Sequence, residues 1–386
     1  MSKAVLRKLP DGWRCVRLGE LCEVKGGKRL PAGADFTKET TTFPYIRVVD
    51  FKNGSIDIRN LKYLSQEVQV QISQYIINRT DVYISIAGTI GICGVIPDEL
   101  DRANLTENAA RLIIKDKTVL HRDYLFRFLA SPMGQLQIKQ KTNAVGQPKL
   151  ALERAKTIEL LLPPLPEQKR IATILNEQMA AFEKARIAAE TQREAATALP
   201  SAYLREIFHG NEAQRWPIMK FEDIAYLQRG HDLPAHKQVP GDYPIVTSSG
   251  HAGTHIEYRA KGPGVVTGRS GSIGKVHYVD EDFWPHNTAL FVKNFRCNEP
   301  RFIFYLLQWI GLKGVSSGSG VPTLDRKQVH KLQVRCPVIS EQKRIVAIID
   351  EQMAEAEKLK KSIEDQLNAI KTLPSARLRQ AFSGEL

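Results

Sequence analysis

The sequence predicts an α+β chain built in the order domain, long helix, domain, long helix. Three observations carry this. The pentapeptide Glu-Gln-Lys-Arg-Ile occurs twice, with Glu167 and Glu341 174 residues apart, and the same offset lays residues 199–210 on 373–384 without a gap. A period this long marks a duplicated domain with its connector, because solenoid repeats run at about 20–50 residues. From each copy onward, apolar residues recur at three- and four-residue spacing, the mark of one sticky helix face. Ahead of each copy lie short β-branched runs separated by Gly, Pro, Asn and Asp, which read as compact domains of mixed strand and helix. The expected boundaries are 1–162 for the first domain, 163–212 for the first helical region, 213–337 for the second domain and 338–386 for the second helical region.

The first helix opens with Pro166, suited to a first turn, and carries Ile171, Leu175, Met179, Phe182 and Ala185 on one face. In the second copy Ser340 is placed to cap the helix. Its stripe runs through Ile345, Ile349, Met353, Ala356, Leu359, Ile363, Leu367 and Ile370. About 40 helical residues at ~1.5 Å each make a rod of roughly 60 Å, stable mainly when packed against a partner of similar length. The expected partner is the other copy. With a compact domain between the rods the chain folds back, so they pair antiparallel as a coiled coil. Ala185, Ala188, Ala189, Ala195 and Ala196 supply small residues for close approach, while Lys184, Arg186, Lys358, Lys360 and Lys361 fall outside the seam. Pro200 and Pro374 are expected to kink or restart the helices.

In the domains, the runs "FPYIRVV", "DVYISIAG", "YPIVTSS" and "GVVTGRSG" are the strand candidates. The two domains share landmarks in order. Trp13 precedes "RLGEL" as Trp216 precedes "KFEDI", "GTIG" from Gly88 matches "GSIG" from Gly271, and 145–163 aligns with 319–337 at the same offset of 174.

At 386 residues the chain has room for two or three domains. Its 55 Lys and Arg against 42 Asp and Glu give a formal charge of +13, which favours a polyanionic partner such as nucleic acid. The N-terminal stretch lacks a signal-peptide core and no apolar run reaches about 18 residues, so a cytoplasmic protein is expected, with no membrane partner. Five scattered cysteines form no C-x-x-C pair, which supports neither a disulfide framework nor a zinc site. "TGRSGSIGKV" fails as a phosphate loop: Gly268 lies one residue too far from Gly274, and Val276 follows Lys275 where Ser or Thr is needed. A glycine turn between strands explains it. His251 and His255 have metal-like spacing without an H-E-x-x-H frame and read as a loop pair. With no methyltransferase, hydrolase or nuclease pattern in view, no catalytic residue, cofactor or metal is expected, and the chain reads as a recognition protein.

"PPLPEQKRIATIL", the long helices, "LREIF" and "LRQAFSGEL", with "RSGSIGKV" inside the second domain, resemble the specificity subunit of type I restriction-modification systems over the whole chain. The resemblance implies a non-catalytic subunit with two target-recognition domains, each reading one half of a split duplex DNA site. It also implies helical regions that pair antiparallel and dock two methyltransferase subunits, with restriction subunits joining through the complex. "VISEQ" departs from the family's Pro-Leu-Pro-Glu-Gln, but Ser340 as a cap keeps the helix start intact. The other readings are a stand-alone methyltransferase or nuclease, and a coiled-coil adaptor without sequence-specific binding.

Basic and amide side chains beside Gly and Pro turns suit contacts to phosphates and base edges. The DNA-binding candidates are Lys28, Arg29, Arg47, Lys52, Asn53, Lys139, Lys141, Asn143, Gln147 and Lys149 in the first domain, and Arg229, His231, Ser248, Ser249, His251, Arg269, Lys275, Ser317, Ser319 and Thr323 in the second. Candidates for helix pairing and partner docking are Glu167, Gln168, Arg170, Ile171, Leu175 and Phe182, with Glu341, Gln342, Arg344, Ile345, Ile349 and Leu359. The rods are also expected to set the number of unspecified base pairs between the half-sites.

Overall fold

The computed structural model describes residues 10–142, 148–315 and 323–386. They form two compact units, one of residues through 188 together with 366–386, the other of residues 189–365. Each unit holds one recognition-type domain, the start of the long helix that follows that domain, and the end of the other long helix.

In the first unit, Cys22–Gly26, Ala109–Ile114, Val82–Ser85 and Cys93–Val95 form a four-stranded sheet in that order, all pairs antiparallel. A second sheet orders Lys62–Tyr63, Pro44–Ile46, Ala103–Leu105 and Ile76–Ile77, with Pro44–Ile46 and Ala103–Leu105 parallel. Arg14–Arg17 pairs with Glu159–Leu162 and so closes the domain next to the long helix. The buried face of Arg122–Ala130, with Tyr124, Leu125 and Phe128 at no exposure, seals the core.

The second unit repeats this plan. Tyr226–Arg229, Ala289–Asn294, Gly264–Gly268 and Val276–Val279 take the same order as their counterparts. Gly250–His255, Tyr243–Thr247 and Trp284–Pro285 form a smaller second sheet, whose Tyr243–Thr247 and Trp284–Pro285 strands are parallel. Ile218–Lys220 pairs with Gln333–Arg335, and Pro300–Ile310 takes the place of Arg122–Ala130. All four strand candidates from the sequence form strands. The glycine turns recur too: Gly88 and Gly91 at φ 72° and 94°, Gly271 and Gly274 at φ 78° and 82°, a region that glycine enters without a Cβ penalty.

The long helices are Leu165–His209 and Ile339–Ser383. In the first unit the start of one lies against the end of the other: Arg377 Nε donates to Gln178 Oε1 at 2.7 Å, and Ile171 and Leu175 share a core with Leu378 and Phe382. In the second unit Leu204 and Phe208 share a core with Ile345 and Ile349. Within each unit, therefore, the helices run antiparallel. Their buried and half-buried positions repeat in sevens, through Leu175, Phe182, Ala189 and Ala196 in one, and through Ile349, Ala356, Ile363 and Ile370 in the other, the period of a coiled-coil seam.

Several expectations are corrected here. Neither proline restarts its helix: Pro200 and Pro374 lie inside continuous helices, half-buried, where packing of the apolar stripe outweighs the missing N–H. Ser340 is not a cap, because the helix begins at Ile339 and the Glu341 and Gln342 N–H groups both donate to Val338 O at 3.0 Å. Glu167 and Gln168 do the same to Pro164 O, so the backbone geometry, not the serine, makes the two starts alike. Leu359 is 46% exposed. It falls one residue before Lys360, which shares the Met353–Leu367–Pro374 row of sevens and is half-buried; one residue is ~100° of helix, enough to turn Leu359 out. Of the five alanines only Ala189 and Ala196 are buried, and Arg186, like Lys360, is half-buried rather than outside. His251 and His255 stand on the strand Gly250–His255, not in a loop, and the His255 ring engages the Val239 backbone at 3.1 Å.

Candidate nucleic-acid interface

In each unit one glycine lets two loops run in contact. A Cβ on Gly27 would lie 2.2 Å from Leu105 O, and one on Gly230 2.1 Å from His286 O, so no other residue fits without moving backbone. Around them the backbone bonds correspond one by one. Gly27 N donates to Ala109 O and Gly230 N to Ala289 O, both at 3.0 Å. Lys28 N reaches Leu105 O at 2.8 Å and His231 N reaches Pro285 O at 2.7 Å. Thr106 N donates to Ile46 O, and His286 N to Val246 O. A third loop joins through Ile86 N to Asn108 O at 2.8 Å in one unit, and Arg269 N to Thr288 O at 2.9 Å in the other. A last strand bridges Ala87 to Lys149, and Ser270 to Thr323.

On this shared frame the side chains differ. In the first unit Arg29 Nε donates to Glu107 Oε1 at 2.9 Å, and Thr106 Oγ1 donates to Glu107 Oε2 at 2.9 Å. Partial burial pushes the Glu107 carboxyl up, but these bonds and its own backbone N–H outweigh that and hold it below the usual range. Lys28 is exposed, its Nζ 5.8 Å above the Tyr75 ring. In the second unit the Asn287 amide donates to Asp232, the Ser248 N–H donates to Thr288 Oγ1 at 3.3 Å, and Arg269 Nη1 donates to Asn287 O at 3.3 Å. Burial, then the charge of Arg259, lowers the His231 imidazole, favouring its neutral form.

The structure therefore gathers Lys28 and Arg29 at one loop tip, and His231, Ser248, Ser249 and Arg269 around the other. Arg229, His251 and Lys275 are exposed, and Thr323 is half-buried on its bridging strand. Arg47 does not belong among free contacts: its guanidinium is clamped on buried Asp50 at 2.7 Å and on Asn60 O, closing a local turn. Lys52 pairs with Asp57, and Asn53 Nδ2 donates to Glu183 on the long helix, so that hairpin faces the helix. Lys139 and Lys149 are exposed, whereas Lys141 donates to Thr157 Oγ1. Asn143, Gln147, Ser317 and Ser319 lie outside the described residues.

The repeated helix motif has a structural role that the sequence reading missed. Gln168 and Gln342 have no exposed surface, which corrects the expectation that they form a docking surface. His121 N donates to Gln168 Oε1, whose Nε2 donates to Val119 O and Pro163 O. Glu299 N likewise donates to Gln342 Oε1, whose Nε2 reaches Asn298 Oδ1 and Pro337 O. Each glutamine thus ties a long-helix start to the first turn of its domain's helix. Two turns on, Asn176 accepts from Arg127 and donates to Asp123, while Asp350 accepts from Arg301 and Tyr305. Arg170 pairs with Glu167 and donates to Leu386 O; Arg344 pairs with Glu341 and with Glu212. Ile171, Leu175, Ile345 and Ile349 are buried in the unit cores, and Phe182 is half-buried.

Glu107, Asp232 and Asn287 were also missed. A signal existed, since "GGKRLP" and "RGHDLP" share Gly-x-x-Leu-Pro from Gly27 and Gly230, but at an offset unlike that of the helices. Among the described residues no group of three or more His, Cys, Asp or Glu is placed to hold a metal, and no helix is long and apolar enough to cross a membrane.

Comparison with known proteins gives this frame a family. The chain is 24% identical over 171 residues to the Escherichia coli type I restriction enzyme EcoBI specificity subunit, covering 44% of this chain and 36% of that one. To the Methanocaldococcus jannaschii type I restriction enzyme MjaVIII specificity subunit it is 23% identical, covering 58% and 51%. The chain thus spans about a third to a half of these curated relatives. Among solved structures, the HsdS subunit of Thermoanaerobacter tengcongensis has the same fold, with a TM-score of 0.68 and 19% identity over 98% of both chains. A chain solved in work on complex assembly and conformational transition of the type I R-M system superposes with a TM-score of 0.77 at 18% identity, over 98% of this chain and all of that one. The model of the type I restriction modification DNA specificity domain matches residues 10–192 and again 214–369. With most of its length matched in two successive copies, the chain belongs to that family.

Proposed function

We propose that this chain is the DNA-reading subunit of a type I restriction-modification system. Each unit reads one half of a bipartite duplex target, and the chain itself performs no catalysis. The observation that carries the reading is the loop frame built twice on the same backbone bonds with different side chains at its tips. Two unlike readers on equivalent scaffolds suit a target whose halves differ. The formal charge of +13 supplies the sequence-independent attraction to phosphates, which weakens steeply with salt. Methyltransferase subunits dock on the helical regions, one for each copy of the repeat, and restriction subunits join through them. The helix pair sets the gap between half-sites. The family match favours neither a stand-alone methyltransferase or nuclease nor a coiled-coil adaptor.

Selection of duplexes from a randomised library by the full chain, alone and with a methyltransferase subunit, tests this. The expected result is two separated blocks of preferred bases and binding that falls with salt. Retention of DNA with no preference for any sequence in either setting contradicts it.

A further inference from the structure

We infer that one cross-loop pair in each unit is the specificity-determining element of that unit, with Arg29 of the first reading a guanine and Asn287 of the second reading an adenine. This rests on the DNA-reading function proposed above. The two pairs occupy equivalent places. Arg29 and Asp232 each stand two residues after the close-approach glycine, and Glu107 and Asn287 each occupy the middle of the facing tripeptide, two residues before Ala109 and Ala289. The backbone beneath them is held by the same bonds, so what differs between the units at this point is side-chain chemistry alone.

The hydrogen-bond inventory decides which member reads. In the first unit Glu107 has one oxygen occupied by Arg29 and the other by Thr106, so it is a holder rather than a reader. It grips Arg29 through Nε and leaves the two Nη groups without a partner among the described residues, on a side chain that is 79% exposed. That fork matches guanine O6 and N7, the commonest direct contact in the major groove. Gripping Nε also orders a flexible side chain in advance of binding, which lowers the entropy cost of the contact.

In the second unit the roles are exchanged between the loops. Asp232 accepts from Asn287 Nδ2, and only the amide nitrogen can donate to a carboxylate, so the flip of the Asn287 side chain is fixed by its partner. Among the described residues, one Nδ2 hydrogen and the Oδ1 oxygen remain without a partner. That is the donor and acceptor set which pairs with adenine N7 and N6. Asp232 is therefore a positioning residue, and Asn287 the group that touches the base.

The test is the same library selection, run on the full chain for the wild type, Arg29→Ala, Asn287→Ala and Asp232→Ala, with melting temperatures to confirm that each variant is folded. The wild type should prefer guanine at one position of one block and adenine at one position of the other. Arg29→Ala should lower the guanine preference on the order of tenfold and leave the second block untouched. Asn287→Ala should do the same to the adenine, in the second block only. Asp232→Ala keeps the reading side chain but frees its flip, so it should weaken the adenine preference while leaving the first block intact, an effect that a merely structural role for the pair does not produce. Folded variants that retain every wild-type preference, or that alter both blocks at once, overturn the inference while leaving the DNA-reading function standing. A wild type with no base preference at all overturns both.

Discussion

The two units agree where they hold a helix and disagree where they face outward. Gln168 and Gln342 make the same kind of buried bonds 174 residues apart, and Phe208 and Phe382 insert from the helix ends into equivalent aromatic clusters, against Phe302 at 5.6 Å and Phe128 at 5.2 Å. Eight residues beyond each glutamine the match loosens: a neutral Asn176 between Asp123 and Arg127 in one unit, an anionic Asp350 between Arg301 and Tyr305 in the other. At the loop tips it is gone, with Arg29–Glu107 facing Asp232–Asn287 across the comparison. The difference teaches that "EQKRI" is repeated first because its glutamine locks a helix to a domain, whatever the half-buried Glu and the exposed Lys and Arg then offer to partners.

The comparison can be broken most forcefully at the buried seam. Leu175→Asp and Ile349→Asp, 174 residues apart and both without exposed surface, place an unpaired charge in a core and should each cost roughly 3–5 kcal/mol. Calorimetric unfolding of the full chain should show a large fall for both; a near-native melting temperature for either removes that position from the core. Next, Gln168→Ala and Gln342→Ala strand a backbone N–H and at least one carbonyl apiece, and should each cost about 1–3 kcal/mol. Equal losses sharpen the equivalence, whereas a loss in one unit alone confines the lock to that unit. The smallest effect is expected for Leu359→Asp, within about 0.5 kcal/mol, because this side chain is 46% exposed. A strong destabilisation there would restore Leu359 to the seam.

The order of elements was legible because a long exact repeat and alternating hydrophobic periods are local signals. The antiparallel pairing was legible because a compact domain between two rods leaves the chain to fold back. What was not legible depended on a second segment of chain. Leu359 and Lys360 both satisfy a three-or-four spacing, and only packing chooses between them. Pro200 reads as a breaker until a partner helix stabilises the turns around it. Arg47 reads as a free cation until Asp50 is seen to hold it. Of the tip pairs, Arg29 was found from its charge, but Glu107 and Asp232 were passed over, because an acid draws attention at a DNA interface only once its partner across the loop is known, and Asn287 has no Lys or Arg beside it in the sequence to mark it.

The central claim, one frame with interchangeable reading pairs, is tested most directly by moving a pair between units. The double variant Arg29→Asp with Glu107→Asn gives the first unit the chemistry of the second. Library selection with this variant should replace guanine by adenine at the one position proposed for Arg29, with every other preferred base unchanged. An unchanged first block, or a change that extends into the second block, would contradict the account.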